Sequence, residues 1–253
     1  GAAAGQILRV SERSPNWAVR VTILFSCWWA QMLASVRYSS TVGQRIRGIF
    51  GMKINGYEIA AGAKLAGADL PGADLSDARL AYADLTEADL TEANLSGASL
   101  HSATLTGAKL SMANLNKADL DSVNFARADL TKANLTSSKL VYANLKGADL
   151  TDADLTDADL TSADLDSADL TDADLTGAKL SMATLRDAHL IKANLKGANL
   201  RFASMKGAGL EGAILRGADL TGADLTRADL TGADLDGAKL HKTTMPDGSI
   251  NKP

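Results

Sequence analysis

The side chains that could do chemistry in this chain are one cysteine, three histidines and many aspartates. Cys27 is the single thiol, so neither a disulfide framework nor a thiolate metal site can form within one chain. His101, His189 and His241 stand far apart, with no metal-ligand spacing between them and none beside Cys27. Paired carboxylates could serve general acid–base catalysis. Here they are abundant only because aspartate recurs as a filler residue, so the nearness of any two carries no catalytic meaning. The glycines recur at a fixed spacing and form no loop of the kind that cradles phosphates. No nucleophile, base and orienting group can be picked out. The expectation is a protein without catalytic residues, metal or cofactor.

The elements that position these groups follow from a five-residue beat. From Ala63 the chain reads AKLAG, ADLPG, ADLSD, ARLAY, ADLTE, and the register holds to Leu240 without an insertion. Every fifth residue from 65 to 240 is Leu, save Phe125 and Met205, and two residues earlier stands Ala, save Val123 and Ser138. Between them is mostly Asp or Asn; Thr or Ser follows. A helix advances about 500° in five residues, so the leucines would spiral round it and form no stripe. In a flat strand an odd period would send successive leucines to opposite faces. The chain must therefore turn the same way after each short extended segment, winding a solenoid with Leu and Ala inside.

This A-(D/N)-L-x-x tandem resembles the pentapeptide-repeat family, over residues 63–240 and thirty-six uninterrupted repeats. The resemblance implies an all-β fold, a right-handed quadrilateral β-helix with four repeats per coil. On that basis the repeats make about nine coils and a rod roughly 40 Å long. Each buried Leu contributes about 2 kcal/mol of transfer free energy. The coils at the ends should be the weakest.

Outside the repeats, 1–51 is a non-repeat segment with six arginines and one acid, Glu12; 52–62 leads into the repeats, and 241–253 reads as a terminal partial coil. Pro246-Asp247-Gly248 signals a turn, and Ile250 falls on the Leu phase. The apolar stretch 17–36, interrupted by Arg20 and Gln31, has four readings. It is a helix capping the first coil, a membrane tether, a presequence, or sequence foreign to a domain that starts at Met52. The expected location is cytoplasmic, with membrane association through 17–36 as the alternative.

Function must lie outside, since the interior is spent on Leu and Ala. Residues 52–253 hold 20 basic and 29 acidic side chains, which disfavours direct nucleic-acid binding. Between Lys146 and Lys179 no basic residue interrupts Asp149, Asp152, Asp154, Asp157, Asp159, Asp164, Asp166, Asp169, Asp172 and Asp174. This acidic belt would steer a cationic partner. The resemblance adds that some members mimic DNA and bind DNA gyrase; this chain lacks the loop insertions and Phe-rich centres of gyrase-protecting members. A second feature is a column. Residues twenty apart should stack at one corner, which places Tyr82, Tyr142, Met182 and Phe202 together, beside Arg79, Lys139, Lys179 and Lys239. Such aromatic and basic clusters anchor interfaces. The expected function is a structural or protein-interaction rod, in one form a homodimer.

Overall fold

A computed structural model describes residues 52–251; the four readings of 1–51, including Cys27 and the 17–36 stretch, lie outside the described residues. The chain opens with an antiparallel hairpin of β1 (Met52–Ile54) and β2 (Tyr57–Ile59). Its two-residue turn is Asn55-Gly56, both at positive φ (50° and 85°), the strongest short hairpin signal in a sequence. The hairpin closes the start of the solenoid. Asn55 Nδ2 donates to the Asp69 carbonyl (3.2 Å), the Asp69 N–H donates to the Tyr57 hydroxyl (3.4 Å), and Ile59 is buried against the first leucines.

From there parallel bridges join each central residue to the one twenty positions on, from Lys64↔Asp84 to Asp224↔Thr244. Twenty residues therefore make one coil, and four five-residue repeats make its four sides. Leucine and alanine from every side fill the tube; from Leu70 to Leu225 the leucines are fully buried, as are Phe125 and Met205. Ser138, at an alanine position, is buried with its hydroxyl donating to the Leu135 carbonyl at 2.7 Å.

The repeat Ala128-Asp129-Leu130-Thr131-Lys132 shows how every N–H is satisfied. Leu130 and Lys132 donate to carbonyls of the next coil (Asp149, 2.7 Å; Thr151, 2.9 Å), Asp129 to the previous coil (Ala108, 2.9 Å), and Ala128 to Phe125 across the corner (2.9 Å). The fifth, Thr131 N–H, donates to the Asp129 side chain, Oδ1, at 3.0 Å. This local Asx bond recurs along the tube, for example at Thr91, Thr156 and Thr226. It gives the central Asp or Asn a structural task that the reading of aspartate as filler missed. In two repeats where that residue is absent, a corner aspartate of the coil below substitutes. Asp121 accepts from Val141 N–H after Lys139, and Asp166 from Arg186 N–H after Thr184, both at 3.0 Å.

Each corner is a turn whose last residue before the alanine has positive φ, from Gly62 (69°) to Lys242 (56°). Glycine adopts this conformation freely, whereas bulky residues there incur roughly 1 kcal/mol of strain. At the far end, Thr243 continues the alanine row and donates to the Leu220 carbonyl (2.7 Å). The chain then reverses: Thr244 pairs antiparallel with Ile250, which is 60% exposed. Ile250 thus leaves the leucine phase that its spacing suggests, because the Pro246-Asp247-Gly248 turn folds it back outside. Leu230, Leu235 and Leu240 in the last coil are only partly buried.

Two outcomes are expected. Leu130→Ala should cost about 2–5 kcal/mol by thermal denaturation, and Leu235→Ala in the half-covered last coil clearly less. At Asp154, burial pushes the carboxyl up, but hydrogen bonds from the Thr156 hydroxyl and N–H and from Thr136 hold it below its ordinary value. Carboxylates depressed in this way stabilise the fold above the unfolded value near 4 and lose that contribution as pH falls through the folded value. The melting temperature should therefore drop as pH is lowered below about 4. Asp154→Asn, which keeps the acceptor, should be within about 0.5 kcal/mol of wild type, whereas Asp154→Ala should lose up to about 1 kcal/mol.

Candidate functional site

With twenty residues per coil, the surface resolves into four faces of central residues and four corners. The face through Asp149 carries Asp69, Asp89, Lys109, Asp129, Asp149, Asp169, His189, Gly209 and Asp229. The next face, through Asp154, carries Asp74, Asp154, Asp174 and Asp234, with Asn and Ile214 between them. The corner joining these faces adds Glu92, Asp152, Asp172 and Glu211. Together this edge holds fourteen acidic residues against Lys109, Lys132 and Lys192. Its excess of eleven exceeds the net −9 of residues 52–253, so the rest of the tube is slightly basic.

The structure brings six of the ten singled-out aspartates onto this edge: Asp149, Asp152, Asp154, Asp169, Asp172 and Asp174. The other four lie elsewhere. Asp157 is at the following corner. Asp159 is on the Lys139 face, 3.2 Å from Lys179 Nζ. Asp164 accepts from the Thr184 hydroxyl at 3.1 Å. Asp166 is buried and held in a two-point pair with Arg186, Nη2 to Oδ2 at 2.8 Å and Nε to Oδ1 at 3.3 Å. Burial pushes Asp166 up, but the bonds from the Arg186 side chain and backbone outweigh it and hold the carboxyl below its ordinary value. On the acidic edge, burial likewise pushes Asp169 up, while Thr171 and then His189, 3.8 Å away, bring it down. The acidic belt therefore resolves into a stripe along the tube, with Asp159 and Asp166 already paired within the chain.

Diagonally opposite runs the apolar column. Tyr82, Tyr142, Met182 and Phe202 occupy one corner and are 64%, 69%, 56% and 58% exposed. All four sit at positive φ (60°, 59°, 61° and 57°), as the last corner residue of every repeat does. Their exposure, not their backbone, marks them as a surface feature. The Cδ1–Cε1 edge of Phe202 lies against Gly222 of the next coil; a Cβ on that glycine would fall 2.6 Å from it, and its φ of 73° also favours glycine. Arg201 stacks over the Phe202 ring, 5.5 Å from its centroid, and His101 meets Tyr82 edge-on at 5.0 Å. The neighbouring face runs Arg79, Ser99, Asp119, Lys139, Asp159, Lys179, Asn199, Asp219, Lys239. Its basic residues alternate with acids, and Lys239 lies 3.8 Å from Asp219. This face, the ridge and the face through Asp164 hold seven acidic and seven basic residues, so the edge is neutral.

His101 and His241 share the ridge corner while His189 lies on the acidic edge. Met112, 51% exposed, sits on the acidic edge and not in the ridge. Among the described residues no group of His, Cys, Asp and Glu is arranged to hold a metal ion, and no helix is long and apolar enough to cross a membrane. Sequence reasoning missed the hairpin and the concentration of charge on one edge. The Asn55-Gly56 pair could have signalled the first; the second needs the twenty-residue period.

A family model described as pentapeptide repeats matches in eight copies, within residues 61–97, 98–136, 128–166, 168–207 and 203–241. Among solved structures the chain is similar to HetL, a pentapeptide repeat protein involved in heterocyst differentiation regulation from the cyanobacterium Nostoc sp. strain PCC 7120. The two share 33% identity over 85% of this chain and 100% of that one, with a TM-score of 0.39. It is also similar to trypsin-treated QnrB1, a plasmid-mediated fluoroquinolone resistance protein, at 22% identity over 64% of this chain and 87% of that one, TM-score 0.57. A third likeness is to Rfr23, a pentapeptide repeat protein from the cyanobacterium Cyanothece 51142, at 45% identity over 38% of this chain and 63% of that one, TM-score 0.30. No curated protein matches. The repeat match through nearly every coil, on a tube whose bridges close every twenty residues, establishes that this chain belongs to the pentapeptide repeat family, whose fold is the quadrilateral β-helix.

Proposed function

We propose that this chain is a non-enzymatic, cytoplasmic protein-interaction rod, a right-handed tube of about nine coils that presents two unlike edges to protein partners. The observation that carries this reading is the apolar ridge: four large apolar or aromatic side chains kept exposed at one corner, where other repeats carry serine or glycine. Met182 and Phe202, on successive coils beside Arg201, form its densest part. They are the contact patch favoured for a protein partner.

A second reading is favoured by the acidic edge. A rod with its negative charge gathered along one side is suited to occupy a groove built for DNA, and so to act as a DNA mimic toward gyrase or another topoisomerase. The likeness to a fluoroquinolone resistance protein makes a gyrase assay the direct test, although at 22% identity that likeness speaks to fold alone. A membrane tether through 17–36 remains a third reading.

For the ridge, affinity capture with wild type is compared with Met182→Gly and Phe202→Gly. Both variants relieve positive φ, so the melting temperature should hold or rise, while the captured protein is lost. Retained capture in both variants sinks the ridge reading. For the DNA mimic, purified gyrase is assayed for supercoiling and quinolone protection. Inhibition that weakens on Asp152→Lys and Asp172→Lys supports it, and no effect at micromolar protein removes it.

A further inference from the structure

We infer that two copies of this chain pair side by side and antiparallel, through the Lys139 face and the apolar ridge, about a two-fold axis crossing the tube between the coils of Lys139 and Asp159. The inference rests on reading the ridge as a contact surface and names its occupant, a second copy of this chain.

A two-fold axis lying in the interface and perpendicular to the tube reverses the tube's direction and keeps each column opposite itself. The column must then be complementary to its own reversal. On the face, this axis sets Lys139 against Asp159 and Asp119 against Lys179. It also sets Arg79 against Asp219, while uncharged Ser99 meets uncharged Asn199. Every charged residue of this column from 79 to 219 meets its opposite. Sliding the copies by one coil destroys the match, bringing Lys139 against Lys179 in one direction or Asp119 against Asp159 in the other.

The ridge selects the same register by size. The axis places Tyr142 against Ser162 and Met182 against Ser122. It places Phe202 against Ser102 and Tyr82 against Gly222. Tyr142, Met182 and Phe202 thus each meet a small serine, while Tyr82 meets the Phe202 ring that covers Gly222, an aromatic contact and not a gap. Two columns of different chemistry agree on one axis.

Charge favours this edge over the opposite one. The ridge edge is neutral, seven acidic residues against seven basic, while two acidic edges would repel each other. The ion pairs already present, such as Lys179 with Asp159 at 3.2 Å, gain a second partner across the axis. At such exposed positions the charges fix register more than affinity. The matched strip is about 34 Å long and one side of a coil wide, roughly 600 Å² per partner, at the low end for a specific interface. That size suits a reversible dimer.

The test is sedimentation of the full chain from about 1 to 100 μM, a range that spans reversible association. Wild type should pass from monomer to dimer. Lys139→Asp and Asp159→Lys each place like charges together twice across the axis, and each alone should associate at least about tenfold more weakly. Mixed, the two variants face opposite charges and should recover dimerisation as a heterodimer. Far-ultraviolet spectra matching wild type show that the variants are folded. A monomeric wild type at the highest concentration overturns the dimer, as does a mixture that associates no better than its components. A monomeric wild type that still loses its captured protein on Phe202→Gly overturns the dimer alone. Wild-type dimerisation with capture unchanged in Phe202→Gly overturns the heterologous-partner reading alone.

Discussion

Each repeat has five backbone N–H groups, and stacking with turning satisfies four of them. The fifth, on the residue after the leucine, is met by a side chain in most repeats, where the central Asp or Asn two residues earlier accepts it. A buried or half-buried donor left without an acceptor is costly, so the outer surface of the tube is acidic or amidic before any function is considered. Two of the exceptions show the same constraint met in another way. Lys139 has no acceptor and the Thr184 hydroxyl is turned to donate to Asp164, so Asp121 and Asp166 reach up from the coil below to accept those two bonds.

This is also where the sequence was and was not legible. The leucine and alanine rows give the tube directly, since a period of five can bury the same two positions only if the backbone turns at every beat. Nothing in five residues says how many sides close a coil; that number came from resemblance, and the bridges at twenty-residue spacing bear it out. The left-handed corner conformation was half hidden, because glycine announces it at Gly97 or Gly177 but Lys117, Arg127 and Tyr142 do not. Ile250 kept the beat in sequence and lost it in space once the chain reversed. The aspartates were visible as residues, but their gathering on one edge appears only when the chain is folded at twenty.

The two edges differ in what they can do. The acidic one projects a long-range field and gives little shape, so it favours encounter with a cationic surface. The ridge carries almost no net field but has relief, large residues alternating with serine and glycine along the corner. They are placed diagonally, so a contact on one edge leaves the other edge open.

The coil length also sets a rule for how such a chain can change in evolution. Inserting or deleting one repeat leaves the interior undisturbed, because any repeat can follow any other, yet it swings everything downstream by a quarter turn. Acids would land under asparagines, and aromatic residues under lysines. Only gains and losses of a whole turn keep the exterior pattern in line, so length variants of this protein should differ in steps of twenty residues wherever both edges are under selection, and in steps of five where only the interior is.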